Sequence, residues 1–466
     1  MCRSRADCEP LQDEVSGHCF SFGLTGWTQK PQLWRSAVTA PVPLIDKHIS
    51  PNLAGLSTSA TIAIAQQCRQ LVGEGRQIFR LGLGQSPFPV PCSVVRALQD
   101  NAHQKDYLPV KGLPELRQTL VEHHRRSFGL DCGRENIIVG PGSKELMFIL
   151  QLVYDGEILL PMPSWVSYLP QARIAGRRVN AIQTALATGW KITPDLLEAV
   201  CRLDPSRPRL LILNYPANPT GQTYRRDELE ALVRVCRRYR ILVLSDEIYG
   251  KTTYDDDHTS LVALYPEGTI FSSGLSKWCG AGGWRLGFFV VPEAAVWLSD
   301  AMATVASETY TATSAPIQYA AITAFQPNAD LDRYVERCRD ILGGLARVIM
   351  DMLGVLEIDV LPPTGGFYVF PDFEPYRQRL ARRNIGGSRQ LCQQLLADTG
   401  VALLPGCDFG RDERELTARL AFVDFDGEQA LAAYPDQGVV DEAFIGEHCG
   451  RTIEAVRRVV DWLADL

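Results

Sequence analysis

Tyr239–Tyr249 reads YRILVLSDEIY. The four apolar residues Ile241–Leu244 are too short for an ordinary helix and lack the alternation that would leave one face wet. They therefore read as a strand buried on both sides. The run stops at Ser245, Asp246 and Glu247, which sets two carboxylates where the chain leaves the sheet. Five more segments share this pattern: NIIVGPGSKELMFIL (136–150), EILLPMPSW (157–165), PRLLILNYP (208–216), GTIFSSGLSK (268–277) and RLGFFVVP (285–292). Short runs of leucine and β-branched residues, closed by small or polar ones and alternating with helical spacing, predict an α/β fold with a mostly parallel sheet flanked by helices.

After Thr313 the chain becomes helical in RYVERCRDILGGLARVIMDML (333–353). It then mixes in strand-like GGFYVFPDF (365–373) and ARLAFVDF (418–425). This predicts a smaller α+β domain built from both chain ends. The expected division is an N-terminal arm over 1–48, the first part of the small domain over 49–83, the large domain over 84–318 and the rest of the small domain over 319–466. Between Leu420 and Gly450 there is no lysine or arginine, while seven acids occur, and this reads as a solvated face.

The bulk numbers narrow the function. The 466 residues can bury a large core, and a net charge of -7 offers no basic stripe for a nucleic-acid backbone. No apolar run reaches the roughly 18 residues of a membrane span, and MCRSRADCEPLQDE has no signal core, so a cytoplasmic protein is expected. Thirteen scattered cysteines without a CxxC pair, and seven histidines without HExxH, support neither a disulfide framework nor a metal site. The adjacent His123 and His124 are expected to face solvent.

In open α/β sheets, ligands gather outside the carboxyl ends of the strands. The residues after each run are therefore the candidates. A lysine among small residues at a dry strand end, Lys277 in SGLSKWCGAGGWRLG (273–287), is disfavoured as a cation, and a neutral amine attacks carbonyls. Asp246 offers a permanent anion for a buried heteroaromatic nitrogen. Tyr249 and Asn218, the latter in NYPANPTG, offer a phenol and an amide for a phenolic oxygen. Gly142, Ser143 and Lys144 open a helix whose free N–H groups favour an anion, and Arg285 adds a guanidinium fork.

Taken in order, NxxxNPTG, SDEIY, SK with GWRLG eight residues on, and GGFYVF resemble the pyridoxal-phosphate (PLP) aminotransferases of class I/II, the aspartate aminotransferase fold or fold type I. The likeness runs from about Ser50 to the C terminus. The resemblance implies that Lys277 forms a Schiff base with PLP and that Asp246 pairs with the pyridine nitrogen. It also implies that Asn218 and Tyr249 bind the ring oxygen, and that Trp165 stacks on the ring. Gly142, Ser143, Lys144, Ser276 and Arg285 would hold the phosphate. Arg419 would clamp the substrate α-carboxylate, with Gly84 approaching it. Tyr107, in DYLPVKGLPELR, would reach the phosphate of a neighbouring subunit, which implies a homodimer with shared sites. The family often has serine three residues before the lysine; here Gly274 stands there, and Ser273 or Ser276 is left to replace it. The implied reaction moves an amino group from an L-amino acid to a 2-oxo acid by ping-pong kinetics. A carbon–sulfur lyase or another α-carbon PLP enzyme of the same fold is the alternative.

Overall fold

Six of the apolar runs are strands: β1 (Ile137–Gly140), β2 (Glu157–Met162), β4 (Arg209–Asn214), β5 (Leu242–Asp246), β6 (Thr269–Gly274) and β7 (Gly287–Val290). A seventh, β3 (Val179–Gln183), joins at the edge, and the order is β1-β7-β6-β5-β4-β2-β3. The computed structural model describes residues 48–255 and 258–466. Apart from His48, the arm expected over 1–48 lies outside them.

Every pairing is parallel except the two made by β7. Between β6 and β7 the chain has only a short 3-10 turn, Gly282–Trp284. Without a crossover helix it can return only antiparallel. Along the strands, neighbouring residues serve opposite faces. Ile158, Leu160, Leu210, Ile212 and Leu244 pack with helices Ser143–Val153 and Val296–Ser307 on one side. Leu159, Leu211, Leu213 and Val243 pack with Arg226–Tyr239 on the other, where Phe271 and Phe288 meet Pro114–Phe128 and Ala315–Phe325.

His124 departs from the sequence expectation. It is 3% exposed and packs edge-on against Phe128 at 5.0 Å and Phe271 at 5.9 Å, while His123 lies partly buried beside Phe325 at 5.3 Å. Rings from three elements cover the pair. Burial pushes His123 down to about 3 and His124 to about 4, so both imidazoles are neutral near pH 7.

The smaller α+β region contains the long helix Ala329–Leu353 and a three-stranded antiparallel sheet, β8 (Tyr368–Val369), β9 (Leu404–Pro405) and β10 (Ala418–Ala421), ordered β8-β10-β9. Residues before the large sheet contribute to it: Phe79 bridges Val401, and the Ala421 N–H donates to the Leu81 carbonyl at 2.8 Å. Six of the seven acids of 420–450 are exposed, and Asp426 and Asp441 cap short helices; Asp424 is half-buried against Arg451. Among the described residues, no helix is long and apolar enough to cross a membrane.

Candidate active site

The carboxyl ends of the parallel strands open into one cleft of about 570 Å³ between the two sheets' residues. β1 delivers Ser143 and Lys144, β2 Trp165, β4 Asn218, β5 Asp246 and Tyr249, and β6 Ser276 and Lys277. Because β7 runs backwards, its entry lies at this same edge, which is how Arg285 reaches the cleft from a strand's beginning. Gly84 joins from just before the large sheet, and the small region adds Tyr368 and Arg419.

Lys277 Nζ donates to the Gly84 carbonyl at 2.6 Å. Burial, reinforced by the Arg419 charge and opposed by Asp246, pushes its amine down to about 8, so a neutral nucleophile is accessible near physiological pH. Asp246 is 3% exposed. Burial pushes its carboxyl up to about 6, against hydrogen bonds from Tyr168 and, at 3.4 Å, Ser272. A cationic donor would restore the full carboxylate.

Arg419 is fully buried. It donates to the Asn218 side-chain oxygen at 2.9 Å and to the Gly82 carbonyl at 2.7 Å, with its guanidinium 4.7 Å from the Tyr368 ring centroid. Its Nε makes no hydrogen bond. A buried guanidinium facing only neutral acceptors lacks the counter-anion that normally offsets its desolvation, which makes it a receptor for a carboxylate. Tyr249 shares a 2.7 Å hydrogen bond with the Tyr368 hydroxyl.

At the other end, Gly142 has φ +87°, and a Cβ there would lie 2.2 Å from an Arg285 nitrogen. Arg285 itself spends donors on the Gly282 carbonyl at 2.9 Å and the Pro141 carbonyl at 3.2 Å. The helix start at Ser143 and this guanidinium form a bare cradle suited to a phosphate. With an amine that burial has pushed down to about 8, a desolvated carboxyl and an anion cradle in one cleft, the donor set fits PLP. Among the described residues, no group of three or more His, Cys, Asp or Glu could hold a metal.

Gly274 cannot be replaced simply by serine, because a Cβ would meet the Leu286 carbonyl at 2.6 Å and Gly287 Cα at 2.8 Å. Of the two candidate substitutes, Ser276 lines the cleft, whereas Ser273 lines a different cavity on the opposite face. Tyr107 does not line the cleft and is 92% exposed. Four participants escape a reading of the sequence: Tyr168, Ser272, Asn214 and Tyr368. Asn214 ties the turn together, its amide accepting from Asn218 N–H at 2.8 Å and donating to the Asp246 carbonyl at 2.9 Å. Tyr168 and Tyr368 lie inside PSWVSY and GGFYVF, where an aromatic looks like core until its hydroxyl partner is known.

The profile of the family "Aminotransferase class I and II" matches residues 76–422. An aspartate aminotransferase of Geobacillus stearothermophilus is 32% identical over 373 residues, covering 78% of this chain and 92% of the relative. An aspartate/prephenate aminotransferase of Cereibacter sphaeroides is 31% identical over 378 residues, with the same coverage of 78% and 92%. Among solved structures, the aspartate aminotransferase of Thermus thermophilus with maleate superposes with a TM-score of 0.77 at 28% identity, over 89% of this chain and all of that one. The fold and the cleft define a PLP enzyme of fold type I. More particularly, the chain belongs to the class I and II aminotransferases. It is a PLP-dependent aminotransferase that works through a Schiff base.

Proposed function

We propose that the substrates are acidic amino acids and their 2-oxo acids, with Arg419 taking the α-carboxylate and the Lys144 ammonium the distal one. The observation that carries this reading is Lys144 itself. Its Nζ lies in the cleft 5.4 Å from the Trp165 ring centroid and has no hydrogen-bonding or ion-pair partner among the described residues. The names of relatives at 30–32% identity point the same way.

In this reading Lys277 would hold the cofactor aldehyde, Asp246 would meet the ring nitrogen, Asn218 and Tyr249 the ring oxygen, and Trp165 the ring face. Gly142, Ser143, the Lys144 backbone N–H, Ser276 and Arg285 would receive the phosphate. When bound, PLP supplies an electron sink conjugated to the substrate α-carbon. The Lys277 amine, once displaced by substrate, would take the α-proton on Nζ. Asp246, as a carboxylate, would keep the ring nitrogen protonated. Gly84 and Arg419 orient the α-carboxylate so that the α-hydrogen faces Lys277. The exposure of Tyr107 supports a homodimer in which it serves the neighbouring subunit's phosphate.

The test is a half-reaction without acceptor. L-Aspartate should convert the cofactor to its aminated form with one equivalent of 2-oxo acid per site. L-Alanine should react about 10²-fold less efficiently, the worth of one buried charge-assisted pair, and Lys144→Met should erase most of that preference. Equal efficiency for the two amino acids in the unmodified enzyme would refute the substrate reading.

A further inference from the structure

A second cavity, of about 370 Å³, lies on the opposite face of the sheet from the cleft. The strands impose this separation. Asp246 lines the cleft and Ser272 points to it, while their neighbours Glu247, Phe271 and Ser273 line the second cavity. Its wall is apolar at Phe128, Phe271 and Val335, and polar at Lys251, Ser273, His123 and Arg339, the last of which is already engaged by a partner of its own. Lys251, Ser273 and His123 make no hydrogen bond or ion pair among the described residues. Lys251 Nζ lies 4.2 Å from the Trp278 ring centroid, which holds its stem without supplying an acceptor.

Neither acid at the cavity forms an ion pair with Lys251, although the Asp332 charge opposes the effect of burial on it. Glu247 is spent, accepting from Ser245 at 2.7 Å, Ser260 at 2.8 Å, Tyr215 at 3.1 Å and His258 at 2.7 Å. Asp332 is exposed to solvent at the rim and forms no ion pair with Lys251. Burial pushes Lys251 down to about 8, which still leaves it mostly cationic at neutral pH. A cation and a free hydroxyl over an aromatic floor, in a volume typical of small-molecule sites, call for a ligand with one anionic end and an apolar body. A second negative charge would meet Glu247 and Asp332.

We propose that this cavity is a binding site for a small organic monocarboxylate with an aromatic or branched body, its carboxylate on Lys251 and Ser273 and its body against Phe128, Phe271 and Val335. The site shares backbone with the catalytic strand end. Ser273 follows Ser272, whose hydroxyl reaches Asp246, and Lys251 comes two residues after Tyr249.

The probe is p-bromobenzoate, titrated into crystals of the holoenzyme and located by the anomalous signal of bromine. The cleft, with Arg419, serves as an internal control in the same map. The expected result is a bromine peak beside Phe128 and Val335, with the carboxylate on Lys251. Lys251→Met, which keeps the stem over Trp278, should raise the half-saturating concentration in this cavity about tenfold or more, the effect of losing one charge-assisted hydrogen bond, and leave the cleft unchanged. Succinate should not enter. Bromine only in the cleft, or equal occupancy of the cavity in Lys251→Met, would overturn the proposal.

Discussion

Asp246 and Glu247 are consecutive residues at the end of one strand, each 3% exposed, and they face opposite sides of the sheet. Glu247 is saturated: two serines, a tyrosine and a histidine donate to it, and the Leu261 N–H approaches at 3.3 Å. Asp246 has one phenol, the Ile248 backbone N–H and one distant hydroxyl. Equal burial thus accompanies opposite roles. A carboxylate whose hydrogen bonds the protein completes ties loops together, and one left under-coordinated beside a lysine is reserved for a donor from outside.

The comparison is broken most completely by removing the amine on the Asp246 side. Lys277→Ala should lower turnover by at least about 10⁴-fold, with folding intact, and borohydride should no longer fix the cofactor to that peptide. Full activity in this variant would empty the cleft of its assigned chemistry. Next in size is a pH effect on the cofactor-free protein. Asp246 ionises at about 6 when folded, against an ordinary 3.8. Below about pH 4 both states hold the proton. Between about 4 and 6 the folded state keeps a proton that the unfolded chain has released, so its contribution to stability declines as pH rises, by about 3 kcal/mol in all. Urea midpoints across that range should show the slope, and Asp246→Asn should flatten it.

Glu247→Gln sharpens the contrast from the other side. The introduced amide nitrogen faces donors, so about 2 kcal/mol of stability should be lost, read by thermal unfolding, while turnover of the folded enzyme holds. Tyr168→Phe is the mildest change. It removes one hydrogen bond, worth about 1 kcal/mol, from the Asp246 carboxylate and should move its ionisation above about 6, visible as an upward shift of the same pH slope.

These contrasts were only partly legible in the sequence. Six of the seven strands announce themselves because burial on both faces leaves uninterrupted apolar runs. β3, with only Ile182 buried among its five residues, carries no such run. The residues that follow the strands were legible because topology sends strand ends to one edge, and the cleft gathers Lys277, Asp246, Tyr249, Asn218, Trp165, Arg285 and Arg419. The reversal of β7 was not legible, since an apolar run has no direction. The burial of His124 is not legible, because a helical neighbour pair shows which faces diverge, not what packs over them. The role of Tyr168 is hidden for a related reason: only three dimensions bring its hydroxyl to a carboxylate 78 residues away.

Gly140, Gly287 and Gly274 stand in register across β1, β7 and β6. A Cβ on Gly287 would come within 2.2 Å of the Ser143 nitrogen, and one on Gly140 within 2.6 Å of Leu146. The helix therefore descends into a notch one side chain deep, and the three positions are mutually locked. Writing serine at 274 would press against the Leu286 carbonyl and the Gly287 backbone and so push β7 toward that helix, which leaves engineering of this strand end no room at that letter.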